Sequence, residues 1–244
     1  MRAGFFLSWL FSICFGISTG FLFHSIWLGV FLGIWALLSL IFFGVYNIRS
    51  GFFIKTWNRL EPGRNNIVLS FDDGPDPLTP EVLGILQKHG VKAMFFLIGH
   101  KIEGRRELVQ KIHHEGHVIG NHTFSHTGRF YFWTASKMLE DINRTTLLIE
   151  SITGERVRYF RPPFGVTNPP LAKALSKTRL DTIGWSFRSF DTVRPLDARM
   201  EKRVMREVKK GDILLFHDTS QGMAEFLDRM IPKLKEKGFK FVLL

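Results

Sequence analysis

The chain has 244 residues, 45% of them hydrophobic and 14% aromatic, with 33 Lys and Arg against 22 Asp and Glu for a formal net charge of +11. The single cysteine, Cys14, excludes an intrachain disulfide framework and a cysteine-based zinc site. The basic balance suits an anionic lipid surface or a phosphorylated substrate, and no nucleic-acid-binding motif accompanies it.

No Asp, Glu, Lys or Arg occurs between Ala3 and Ile48. As one helix this stretch would be about twice as long as a hydrocarbon core of roughly 30 Å is thick. The expectation for residues 1–50 is therefore a two-helix transmembrane hairpin, with spans near 4–22 and 26–46 and a turn at Ser18 to Gly20 or at His24-Ser25. Trp9, Trp27, Trp35 and Tyr46 suit interfacial anchoring. The alternative is a cleaved signal peptide followed by one span, but the n-region has a single Arg2 and no convincing small-x-small cleavage site precedes Phe21. Arg2 lies on one flank of the hairpin and Arg49, Lys55, Arg59 and Arg64 on the other. Positive charge on both flanks predicts an inner-membrane protein whose remaining chain is cytoplasmic; a change of one span places it outside.

Residues 51–66 read as a basic juxtamembrane connector, and residues 67–244 as one domain with no Pro/Gly/Ser-rich linker inside it. Strands are expected at Ile67 to Phe71, Lys92 to Ile98, His117 to Ile119, Arg158 to Phe160, Thr182 to Trp185, Ile213 to Phe216 and Phe239 to Leu243. Helices are expected between them. One starts at Thr79-Pro80, buries Val82, Ile85 and Leu86, and stops at Gly90; a longer one after Thr134 aligns Met138, Ile142, Ile149 and Ile152. Others follow Glu103, Asn168, Met200 and Gly222. Alternating strands and helices define an α/β fold, and about seven parallel strands favour a deformed (β/α) barrel.

Polar residues cluster after several strands, where an α/β barrel gathers its loops at one mouth. Asp72 and Asp73 are adjacent carboxylates at a strand end before a Gly-Pro turn, so the two can face different partners. His122 and His126 are four residues apart and able to reach one ion; two histidines and a carboxylate make a hydrolytic zinc arrangement. His113, His114 and His117 show no partner pattern. The run Phe130-Tyr131-Phe132-Trp133 reads as core packing, or as an aromatic surface for sugar faces or a bilayer interface. Asn121 and Asn143 match the glycosylation pattern by chance.

Five ordered motifs over residues 67–244 resemble the polysaccharide deacetylases with the NodB homology domain, carbohydrate esterase family four. They are Ser70 to Pro75, His122 to His126, Arg161-Pro162-Pro163-Phe164, Arg188-Ser189-Phe190-Asp191 and Leu215-Phe216-His217. The resemblance implies that Asp73, His122 and His126 bind zinc or a similar divalent metal and that Asp72 is the general base. His217 is implied as the acid that protonates the leaving amine, and the backbone N–H of Phe164 as an oxyanion donor. Arg161 would pair with Asp72, and Asp191 with His217. The implied substrate is an N-acyl amino sugar, most simply N-acetyl, in a membrane-associated or lipid-linked glycan or a polysaccharide. Deformylation of a lipid-linked amino sugar, or an inactive membrane-tethered glycan-binding protein, are the alternatives. Three positions depart from the family: Phe164 replaces Tyr, Arg188 stands where Asp is frequent, and Thr192 where Trp is.

Overall fold

Strand β2 (Asn66–Gly74) occupies the middle of the sheet and carries the first motif at its carboxyl end. In this computed structural model residues 10–18, 26–61 and 63–244 are described. Alternation along β2 sends Leu69 and Phe71 outward to pack with the surrounding helices. Val68 points inward with Met94, Phe96, Ile183 and Ile213, on the same face as Ser70 and Asp72.

The other strands are β1 (Thr56–Trp57), β3 (Met94–Leu97), β4 (Val118–Asn121), β5 (Tyr159–Phe160), β6 (Asp181–Ile183), β7 (Phe187–Arg188), β8 (Ile213–His217) and β9 (Lys240–Phe241). They pair in the order β1-β6-β5-β4-β3-β2-β8-β7, every pairing parallel, with β9 beside the start of β2. The result is the expected curled (β/α) barrel, with two strands beyond the seven. Both additions, β1 and β7, are two residues long, too short to show an alternating pattern in sequence. β1 comes from the stretch expected to be a connector, and bonds to β6. Among the described residues, no strand pair joins the β1-β6 side to β8. The gap is bridged by Leu60 N–H donating to Gly211 O at 2.8 Å, Ser186 N–H to Ile213 O at 3.1 Å, and an Arg59–Asp212 ion pair at 2.6 Å.

Residues 10–18 lie in helix α1, and Ile26–Tyr46 form α2; they are followed by α3 (Thr79–Lys88), α4 (Gly99–Ile102), α5 (Arg106–His114), α6 (Ala135–Thr153), α7 (Pro169–Leu175), α8 (Ala198–Glu207) and α9 (Met223–Glu236). Thr134 caps α6 by accepting from Lys137 N–H, and Asn168 caps α7 by accepting from Leu171 N–H. α6 buries Met138, Ile142, Thr145 and Ile149, close to the predicted stripe. α3 starts from Leu78 rather than Thr79, whose hydroxyl is drawn inward to Asp218. α8 begins two residues before Met200, because Asp197 accepts from Arg199 and Met200 N–H.

α2 coincides with the second expected span. Its most apolar window has a mean hydropathy of 2.4, and its buried residues are Ala36 and Gly44. The expected turn at His24-Ser25, and Thr19 and Gly20 of the other, lie outside the described residues. Gly16 of α1 faces Leu32 so closely that an added Cβ would sit 2.9 Å from Leu32 Cβ, the close approach that small residues give to paired apolar helices.

Candidate active site

The barrel mouth is built where strands give way to loops under backbone strain. Among the described residues, the non-glycine positions with left-handed φ are Asp73 (71°), Thr123 (66°), His126 (44°), Phe164 (54°) and Phe190 (63°). Each costs on the order of 1–3 kcal/mol, and all five fall in or beside the motif residues.

Asp73, His122 and His126 each offer a ligand atom, and these atoms lie within 4.8 Å of one another. His126 Nε2 is 3.2 Å and His122 Nε2 3.5 Å from Asp73 Oδ1, a buried oxygen without a well-formed hydrogen bond. The backbone carbonyl of Arg161 lies 2.7 Å from His122 Nδ1. A carbonyl only accepts, so Nδ1 carries the proton and the Nε2 lone pair is aimed at the cluster. Burial, then the charge of His122, pushes the His126 imidazolium down to about 4, so at neutral pH this ring is a neutral donor as well. Burial alone would raise the Asp73 carboxyl; the contact with His122 and the charges of His122, His126 and His217 outweigh it and hold the group well below the usual carboxylate range. A carboxylate oxygen and two imidazoles around an orphaned buried atom fit a divalent cation.

Asp72 sits on one side of this cluster, with Oδ2 3.8 Å from His122 Nε2. Its other oxygen accepts from Arg161 Nη1 at 2.6 Å. Arg161 is fully buried, which an unpaired guanidinium would not tolerate. It also donates to Ser70 Oγ at 3.0 Å, Ile183 O at 3.2 Å and Gly184 O at 3.0 Å. The central cation thus closes the irregular side of the barrel and orients Asp72 at the same time.

His217 reaches the cluster from β8, directly across from Asp72 in the strand register, its Nε2 3.9 Å from Asp73 Oδ2. Its Nδ1 is 3.0 Å from Asp191 Oδ1, and its backbone N–H donates to Asp191 Oδ2 at 2.8 Å. Burial opposes the imidazolium, but the Asp191 hydrogen bond and charge, with Asp72 and Asp73 behind them, raise the His217 pKa above its ordinary value. Asp191 is itself fixed by the hydroxyls of Ser189 and Ser220. Phe164, at φ 54° and ψ 1°, turns the loop over the mouth, its ring 5.1 Å from that of His126. Arg188 takes no carboxylate partner among the described residues; its guanidinium lies over Trp185 and Phe190, at 5.6 and 4.9 Å from the ring centroids.

All the predicted site residues gather at this mouth. Several supporting residues carried no sequence signal. Asp141 on α6 accepts from Phe124 N–H at 2.8 Å and from Ser125 N–H, shaping the loop that presents both histidines. Lys101 donates to Asp73 O at 2.7 Å. Ser70, taken only as part of a motif, is a partner of Arg161. Asn121, by contrast, is buried and donates to Ile142 O and Thr146 Oγ1, so its glycosylation pattern is incidental. His117 lies away from the mouth, its Nδ1 accepting from Ala93 N–H.

A carboxylate–bis-imidazole cluster beside an oriented Asp and an oriented His, in the mouth of a curled parallel barrel, is the arrangement of a hydrolytic site. The sequence matches the family described as polysaccharide deacetylase over residues 59–183, and the chain belongs to it. It is 36% identical over 185 residues to a peptidoglycan-N-acetylglucosamine deacetylase of Bacillus cereus, covering 72% of this chain and 84% of the relative. A second such deacetylase of the same organism is 35% identical, and the chain spans 66% of its length. Among solved structures, Bacillus subtilis PdaA, a family 4 carbohydrate esterase, superposes with a TM-score of 0.69 at 30% identity, over 76% of this chain and 81% of that one. A family 4 pseudoenzyme from Bacillus anthracis superposes with a TM-score of 0.71 at 30% identity, over 77% of this chain and 66% of that one.

Proposed function

We propose that this protein removes an N-acetyl group from an amino sugar of a membrane-proximal glycan, with a divalent cation, most simply zinc, held by Asp73, His122 and His126. The observation that carries the reading is that an Asp and a His on neighbouring strands both reach one ligand cluster, Asp72 3.8 Å from His122 and His217 3.9 Å from Asp73. The cation would supply Lewis-acid chemistry, polarising the amide carbonyl and acidifying water. Asp72, oriented by Arg161, takes the proton from the attacking water. His217, kept protonated by Asp191, delivers a proton to the departing amine. The Phe164 N–H is assigned to the developing oxyanion. An inactive glycan-binding role would leave this acid–base set without a purpose.

The apolar α2 and the small-residue contact of α1 with it support a membrane anchor. The flanking charges favour the inner face, where the substrate would be a lipid-linked amino sugar. The relatives' names favour the outer face and nascent peptidoglycan. Metal-dependent acetate release from N-acetylglucosamine oligomers and from lipid-linked N-acetylglucosamine tests the chemistry, with formate release as the rival outcome. Unchanged turnover in Asp72→Asn would sink the mechanism. Protease accessibility of a tag at Leu244 in intact cells assigns the side.

A further inference from the structure

The last turn of α2 is bound to the rim of the catalytic mouth. Thr167, six residues after Arg161, donates from its N–H to Val45 O at 2.9 Å and from its hydroxyl to Gly44 O at 3.1 Å. Arg49 donates to Trp185 O at 3.1 Å and Ser186 O at 2.6 Å, just past β6. Ile48 packs with Trp185 and with Leu215, two residues before His217. Thr167 follows β5 and Trp185 follows β6, at the carboxyl ends of those strands, the end that carries the site. Upstream of this turn, the one buried residue of α2 is Ala36, so the apolar helix leaves the domain from the mouth side.

Beside this junction, Phe132 is 90% exposed. It is not on a loose loop. The Tyr131 hydroxyl donates to Pro163 O, Asn168 Nδ2 donates to Tyr131 O at 2.9 Å, and Asn168 is the neighbour of Thr167. Phe130, in the same loop, is fully buried. A large apolar ring held out from an ordered loop, next to an exposed apolar helix, is costly in water and favourable at a lipid interface. Phe164, half exposed on the same rim, extends the apolar edge to the ligand cluster.

We infer that the catalytic mouth faces the bilayer, with Phe132 seated in the lipid interface beside α2, so that the site takes amino sugars carried on or immediately above the membrane rather than free soluble glycans. This rests on the reading of α2 as a retained membrane span. It deepens the proposed function by giving the substrate's location a structural cause: the same hydrogen bonds that hold the anchor also set the direction of the mouth.

The test uses the full chain with Cys14→Ser, reconstituted in vesicles of phosphatidylethanolamine and phosphatidylglycerol. A nitroxide is attached at Phe132→Cys or, for comparison, at Glu155→Cys, an exposed position before β5 at the opposite end of the barrel. The label at 132 should be several-fold more accessible to oxygen than to a water-soluble nickel chelate, and the label at 155 the reverse. Equal nickel accessibility at the two sites overturns the inference. So does protection of 132 from both reagents, which marks contact with a second copy. Should Phe132→Cys fail to fold, a label at Arg129→Cys, on the same exposed loop, reads the same depth. No turnover is needed, so loss of the deacetylase reading, seen as absent acetate release, is distinguishable from loss of this one.

Discussion

Arg161 and Asp72 form a buried ion pair, Nη1 to Oδ1 at 2.6 Å, in which the arginine has no access to solvent. The pair joins two jobs: it fills the irregular side of the barrel and it aims the carboxylate assigned as base. Removing one partner leaves the other charge buried and alone. Arg161→Met should therefore lower stability by about 3–5 kcal/mol and abolish acetate release. Arg161→Lys should not restore either property, since one ammonium cannot reproduce bonds to Ser70, Asp72, Ile183 and Gly184. Urea unfolding followed by turnover on the soluble fraction checks both.

Asp72 and Asp73 are neighbours in sequence to which the proposed mechanism assigns separate duties. Asp72→Asn should cut kcat by about 10²–10⁴-fold while leaving the rise in Tm on cation addition intact. Asp73→Asn should lose that rise. A Tm response lost equally in both variants would show that the two carboxylates act as one ligand set.

Cation addition should stabilise the folded chain by mass action, about 2.7 kcal/mol at a hundredfold excess over Kd. Substituting both His122 and His126 by Ala should remove the effect. Thermal melts with zinc and with chelator compare the two proteins directly.

His217 titrates above its ordinary value of about 6.5, because the Asp191 hydrogen bond and charge outweigh burial. As a general acid it must hold its proton, so the alkaline limb of kcat should lie above that value. Asp191→Asn should move the limb to lower pH. The stability linkage has the matching sign: the contribution is complete below the unfolded-state pKa and is lost as pH rises through the raised folded one. A limb that does not move with Asp191→Asn would refute the pairing as the cause.

Asp218 is buried, and burial pushes its carboxyl up to about 7; the Thr79 hydroxyl at 2.5 Å only partly opposes this. A carboxyl raised in the folded state contributes stability that is whole below the unfolded pKa and lost as pH rises through the folded one. Asp218→Asn, which keeps the shape without the charge, should leave the urea midpoint nearly unchanged at about pH 4 and raise it at about pH 8. A native midpoint flat between those values would contradict it.

The legible parts of this protein were those encoded within a few residues. The apolar, β-rich run from Ile67 to Phe71 predicted β2, and the four-residue spacing of His122 and His126 let both reach one cluster. Thr134 announced the start of α6 through its cap. β1 and β7 were not legible, because a two-residue strand owes its existence to the edge it pairs with. Asp141 was one more acid on a helix until the fold carried the loop of Phe124 and Ser125 over it.

By itself, the sequence picked out Asp73, His122 and His126 as one candidate ligand set, because each motif is a short run whose side-chain directions follow from its own backbone. It also determined the apolar length of α2. Tertiary structure alone decided that Arg161 is swallowed whole to hold Asp72, and that Thr167 grips the last carbonyls of α2 across a sequence separation of 123 residues. Such contacts depend on how the sheet curls and where its gap falls, and no local pattern of residues carries that geometry.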